Sequence, residues 1–243
     1  MSITNDLDAG AVSRRPIARH TRFRAWPLWA TLAGVAGTIG TVVTDLRPAS
    51  ETEAIDRGEL YAVTPADMET LDVLTGRIGF TSGLVAVFAL LVFVALWRTH
   101  VEVRATRSTG ARLVGIGVVV SASALVLGYG WRGALANYLG PESGLYGPDG
   151  LFVYYMLTDF GAYIGWAGVV ASAVGIAWMA WVERLVSRVL GTFSGLVAVL
   201  VTGAVVVAGV PGLPGVFMPV WLAVTGVWLA VGRSRITLPD VSS

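Results

Sequence analysis

Six apolar stretches, each close to the length that crosses a bilayer, take up most of this 243-residue chain. They fall at residues 26–44, 78–97, 113–131, 160–181, 190–210 and 214–232. A helix rises 1.5 Å per residue, so about 20 apolar residues traverse the roughly 30 Å of hydrocarbon in a membrane. A water-soluble chain of this size gathers one core and has no reason to isolate so many uninterrupted apolar segments. With 55% hydrophobic and 14% charged residues, the composition departs from the roughly one-quarter charged content of soluble domains. The expected fold is therefore all-α, an integral membrane bundle of six transmembrane helices.

The charges sort by side. The chain has no lysine, so its 17 basic residues are all arginine. Placing both termini and the second and fourth connections on one side collects 13 of them. Five lie before the first span, at Arg14, Arg15, Arg19, Arg22 and Arg24. Arg98, Arg104, Arg107 and Arg112 come after the second span, Arg184 and Arg188 after the fourth, and Arg233 and Arg235 after the last. Only Arg47, Arg57, Arg77 and Arg132 fall opposite, where 11 of the 16 acids also lie. The positive-inside rule makes the arginine-rich side cytoplasmic. Both termini are thus expected in the cytoplasm, with a plasma-membrane location. The chain then divides into a basic, partly disordered tail at 1–25, a membrane domain at 26–232 and a short tail at 233–243. Outer loops are expected at about 45–75 and 132–150.

What the chain lacks narrows its chemistry. With no cysteine there is no disulfide, thiolate metal site, iron–sulfur cluster or cysteine nucleophile. The two histidines, His20 and His100, lie in basic segments outside the spans, so an intramembrane haem has no histidine to bind it. Without lysine there is no side-chain amine for a Schiff base to retinal or pyridoxal. Neither HExxH nor GxSxG occurs. No cofactor, metal or nucleic-acid partner is expected.

Several local signals can be placed. Thr64-Pro65-Ala66-Asp67 reads as a helix start, with Thr64 as N-cap, Pro65 at the first position and acids in the first turn. That helix is expected to lead inward past Arg77. Gly-Pro-Glu-Ser-Gly and Gly-Pro-Asp-Gly in the second outer loop read as ordinary turns. The stretch 151–181 carries no breaker and would be about 46 Å long as one helix. Its outer turns must project, lie in the interface or bend. Small residues recur at four-residue spacing, at Gly79 and Gly83, Gly161 and Gly165, Gly191 and Gly195, and along Ala33, Ala36, Gly37 and Gly40. In lipid such faces let backbones approach within the bundle, or dock another subunit or a second copy.

One constellation invites a functional reading. Tyr155, Asp159 and Tyr163 stand four apart, with Trp166 on the same stripe. The third span ends in Tyr129, Trp131 and Arg132, and Arg77 opens the second. If these helix ends meet, Asp159 can pair with Arg132 or Arg77 beneath a rim of aromatic rings. A carboxylate at membrane depth is costly without such a partner, so Asp159 leads the candidate site. An aromatic belt at the headgroup level accounts for the same rings without a ligand.

Three function classes are open. The first is a non-catalytic bundle that serves as an accessory subunit or binds a lipophilic ligand in an outer-leaflet pocket. The second is a small transporter or channel. The third is an intramembrane enzyme on a lipid-linked substrate, with Asp159 as base and Arg132 or Arg77 holding an anionic group. Membrane lipids are partners in every case.

The basic start, the Ala/Val/Gly/Leu-rich spans, arginine in place of lysine, and a Pro-Gly-Leu-Pro-Gly turn before a final Trp-bearing helix form a recognisable layout. It resembles that of small uncharacterised six-span proteins of high-GC actinobacteria. The resemblance implies a plasma-membrane location and carries over no functional residue.

Overall fold

The computed structural model describes residues 24–232 together with Ser234 and Ile236; the side chain of Asp159 is not among the described atoms. The expectations for residues 1–23, Arg233 and Arg235 lie outside this set. Every regular element among the described residues is helical. Five helical runs are long and apolar enough to cross a membrane: Val73–Glu102, Thr109–Tyr138, Pro148–Trp181, Arg188–Ala208 and Leu213–Val231. A sixth, Leu28–Val43, is apolar but shorter.

The first run consists of α1 (Leu28–Thr38) and a π-helical turn at Ile39–Val43. A short α2 (Ala49–Asp56) and a 3₁₀ turn at Pro65–Thr70 come next. Then come α3 (Val73–Trp97), extended by a π turn at Arg98–Glu102, and α4 (Thr109–Tyr138). The fourth run is broken into α5 (Pro148–Ile164) and α6 (Ala167–Trp181). Helices α7 (Arg188–Ala208) and α8 (Leu213–Val231) complete the chain. Packing forms a closed circuit in which α1 lies on α3, α3 on α4, α4 on α5 and α6, α6 on α7, and α7 on α8, which returns to α1. Helix α7 is the least embraced, with 28% of its apolar window buried.

Capping explains where the helices start. The Asp72 carboxylate accepts from the backbone N–H groups of Leu74 and Thr75 at 3.1 and 2.9 Å and so opens α3. Ser108 opens α4 by accepting from Ala111 N at 2.9 Å, and Ser187 opens α7 by accepting from Leu190 N at 3.3 Å. Thr64 is the N-cap as expected, and with Asp67 it forms a reciprocal capping box. The segment it starts is a separate 3₁₀ turn. It does not run on into α3, because Leu71 is extended and buried in the outer cluster before Asp72 restarts the chain.

Small residues set the helix spacing. Along the α4 seam, Gly110 faces Gly175, Gly117 faces Gly168, and Gly128 faces Gly161. A methyl group added at Gly117 would stand 2.4 Å from the Gly168 carbonyl oxygen. At this distance hydroxyls bond directly to neighbouring backbone: Ser172 Oγ donates to Val114 O and Ser121 Oγ accepts from Val169 N, both at 3.0 Å. Close approach and interhelical hydrogen bonds join the helices here, the contacts that count most where the surroundings are hydrocarbon. The small stripes named from the sequence are used in the same way. Gly40 meets Gly79 and Gly83, Gly161 and Gly165 meet α4, and Gly191 meets Ala180.

The two ends of the bundle differ in charge. Arg24 N donates to Ala230 O, Trp26 stacks on His100, and Glu183 accepts from Ser108 Oγ and Gly110 N. The first described residues, the end of α8 and the α3–α4 and α6–α7 connections therefore share one end, the arginine-rich one. At the other end, the 3₁₀ turn packs with Leu135 and Leu151 around Leu46, Met68 and Leu71, and α2 joins it through Ser50, whose hydroxyl donates to Asp67 at 2.7 Å.

Two outer boundaries need correcting. The sequence puts the second outer loop at 132–150, yet α4 continues through Tyr138, so Arg132 is a helical residue and only 1% exposed. Gly-Pro-Asp-Gly is not a free turn, because Pro148 occupies the first turn of α5, where its missing N–H costs nothing.

Asp67 organises the outer cap. Its carboxylate accepts from Thr64 N, Thr64 Oγ1, Ser50 Oγ and Tyr61 Oη at 2.7–2.8 Å. These donors, the Thr64 backbone foremost, hold its pKa down at about 2. A depressed carboxylate supports the folded cap fully above its unfolded pKa of roughly 4 and loses that support as pH falls through the folded value. Amide protection in 45–72, taken relative to the intrinsic exchange rate at each pH, is expected to hold down to about pH 4 and to fall towards pH 2. Asp67→Ala is expected to show the reduced protection already at pH 7.

Candidate functional site

The break in the fourth run and the π turn in the first meet on one buried cluster. In the π turn Thr44 N reaches back five residues, to Ile39 O at 3.0 Å, instead of four to Gly40. Thr44 Oγ1 donates to the same Ile39 carbonyl at 2.8 Å. The Gly40 carbonyl is thereby released from the helix ladder, and Arg132 of α4 donates to it through Nη1. The same nitrogen lies 3.3 Å from Thr44 O and 3.5 Å from Thr44 Oγ1. A buried guanidinium needs acceptors, and a π turn supplies them from backbone.

One turn below Arg132, Tyr129 is fully buried, and its hydroxyl is 2.7 Å from Thr41 Oγ1. Trp166 Nε1 donates to the same Thr41 oxygen at 3.2 Å. Trp166 sits at the break between α5 and α6, where Val169 N bonds to Trp166 O and to Ser121 Oγ. Two glycines make room for the rings. A Cβ at Gly37 would lie 2.1 Å from Trp166, and one at Gly83 would lie 2.2 Å from Tyr129. Three runs, carrying α1, α4 and α5–α6, are thus tied through Thr41, with α3 supplying the glycine floor.

The other residues named from the sequence are dispersed. Tyr155 is buried under the outer cap and donates to Glu51 at 3.1 Å. Tyr163 stands against Gly212 and Gly215 at the start of α8 and interacts with Asp45. Trp131 covers Gly161 on a different face of α4 from Tyr129. Arg77 is exposed at the outer rim beside Gly140. Asp159 belongs to α5, and its side chain, with any pairing to Arg132 or Arg77, lies outside the described residues.

Sequence reasoning missed Thr41 and Thr44, and it gave Gly40 a packing role only. A signal was present, since Thr41 stands four after Gly37 and Thr44 four after Gly40. The small-residue stripe of the first span therefore continues into hydroxyls on one face. Among the described residues no group of three or more histidines and carboxylates could hold a metal ion. No family model, curated protein or solved structure matches the chain.

Proposed function

We propose that this chain is a non-catalytic six-span protein of the plasma membrane, with both termini in the cytoplasm, that serves as an accessory subunit of a membrane complex. The observation that carries this reading is where the cluster directs its polar atoms. Arg132 donates to backbone of the π turn that follows α1, and Tyr129 and Trp166 converge on Thr41, so these groups join helices to one another. A catalytic base or a ligand clamp must instead present its polar atoms to a space that substrate can enter. The plasma-membrane location rests on the charge sorting and on the resemblance in layout.

A second reading, a small transporter, is favoured by one specific feature. Two interrupted helices, the π turn of α1 and the break before α6, meet at Thr41 and Trp166. Interrupted helices at a common depth are the usual way transporters form a site.

One purified preparation separates the readings. The accessory reading expects a companion chain at fixed stoichiometry after mild solubilisation. It also expects no ion flux into proteoliposomes loaded with a pH-sensitive dye. Flux that disappears in Thr41→Val would establish the transporter instead. Turnover of a lipid-linked substrate would replace both with the enzyme.

A further inference from the structure

A cleft of about 620 Å³ runs between α1 and α8 in the half of the bundle nearest the arginine-rich end. Thr31 and Val35 form one wall, and Val224, Val227, Trp228 and Val231 the other. The only hydroxyl among these residues is directed inward, with Thr31 Oγ1 donating to Ala223 O at 3.2 Å. Nothing in the walls therefore asks for water, and the section suits a hydrocarbon chain. At Trp228 and Gly232 the cleft continues into a second depression lined by Ser187 and Ser234, so its far end becomes polar.

Two arginines adjoin the lining of that end, by a backbone bond or along the chain. Arg24 bonds through its backbone to Ala230, beside the lining residues Val231 and Gly232. Arg188 adjoins Ser187 and Val189, which line the second depression, and its guanidinium carbon sits 5.3 Å from the Trp181 ring centre. The nearest acid in the α6–α7 connection, Glu183, faces the other way, accepting from Ser108 and Gly110 at the start of α4. An apolar trough that opens at membrane-surface depth onto hydroxyls and arginines is complementary to a lipid with an anionic head.

We propose that this cleft holds an acyl chain of an anionic glycerophospholipid of the cytoplasmic leaflet, with its phosphate at the serine-lined end flanked by Arg24 and Arg188. The inference depends on the membrane reading and its orientation, and not on whether the chain has a partner subunit. A zwitterionic lipid gains only the trough, and an anionic one gains the arginines as well.

The test is native mass spectrometry of the full chain released from nanodiscs made of equal parts phosphatidylglycerol and phosphatidylcholine. Retained phosphatidylglycerol is expected to exceed phosphatidylcholine by about tenfold, given the contribution of each arginine near a charged headgroup. Val227→Phe, which fills the trough from a partly exposed position, should remove most of the retained lipid. Val199→Phe, on the outer face of α7, should leave retention unchanged. Arg24→Gln with Arg188→Gln should abolish the preference for the anionic lipid while leaving some retention. Equal retention of the two lipids by the unaltered chain would overturn the proposal. So would retention that Val227→Phe does not touch, or a preference that survives the double arginine variant. A missing companion chain in the purification experiment would leave this result untouched, so the two failures can be told apart.

Discussion

Arg132→Leu is expected to lower the stability of the bundle by about 2–4 kcal/mol. The leucine removes the donor to Gly40 O and to Thr44, and a buried carbonyl left unmet costs about 1–3 kcal/mol. Part of that loss can be recovered if α1 gives up its π turn, returning Thr44 N to Gly40 O in a regular helical register. That recovery has its own cost. Removing the extra residue of the turn rotates the chain beyond it, and Thr44 and the outer segment behind it no longer sit as they do. A thermal melt in detergent monitored by tryptophan fluorescence measures the loss directly. Thr41→Val weakens the same junction, so its combination with Arg132→Leu should cost less than the sum of the two. Strict additivity would mean that the guanidinium and Thr41 do not act through one turn.

The second large effect is expected on the α4–α6 seam. Gly117→Ala places a methyl group 2.4 Å from Gly168 O and 2.5 Å from Ser172 Oγ, and Gly168→Ala mirrors it against Gly117 O. The obstruction is backbone on both sides, so no side chain can swing clear and the helices must separate. Overpacking of this kind costs about 1–3 kcal/mol, and the separation also stretches the bonds of Ser121 and Ser172 across the seam. Gly203→Ala is the control. Its added methyl meets nothing within 4 Å, so the variant should match the parent or gain slightly from better helix propensity. The comparison separates a helix effect from a packing effect in one set of melts.

Much of the fold is legible in the sequence because hydrocarbon leaves so few choices. A backbone in lipid must satisfy itself within each segment, so apolar length read from the sequence places a helix. Thr64, Pro65 and Asp67 likewise spell a helix start, because capping is local chemistry. The sequence is less informative wherever tertiary contact decides. Arg132 reads as the first residue of a loop, because a charge after Tyr129-Gly130-Trp131 marks a span boundary. In fact α4 runs on, and the charge is met by carbonyls of a helix 92 residues away in sequence. Nothing within residues 39–43 alone demands a π turn; the acceptor it releases has value only because Arg132 arrives there. The break at Gly165 and Trp166 has no proline to announce it. It goes with Leu125 crowding Gly165 and with Trp166 lodged in the space left by Gly37. For the candidate site, the sequence points to Tyr129, Trp166 and Arg132 but not to Thr41, which joins the two rings. The hydroxyl of Thr41 is hidden among apolar neighbours, where threonine is commonplace.

In the proposed topology the arginine-rich and acidic ends of the bundle lie on opposite sides of a membrane. A chain without cysteine permits a direct test by single-cysteine labelling, since any label reports the introduced residue alone. Glu53→Cys marks the exposed outer face of α2, and Thr106→Cys marks the exposed α3–α4 connection. An impermeant maleimide added to intact cells should label Glu53→Cys at once and Thr106→Cys only after permeabilisation. Labelling of both positions from the same side would mean that α3 does not cross, and the six-span arrangement would fall with it.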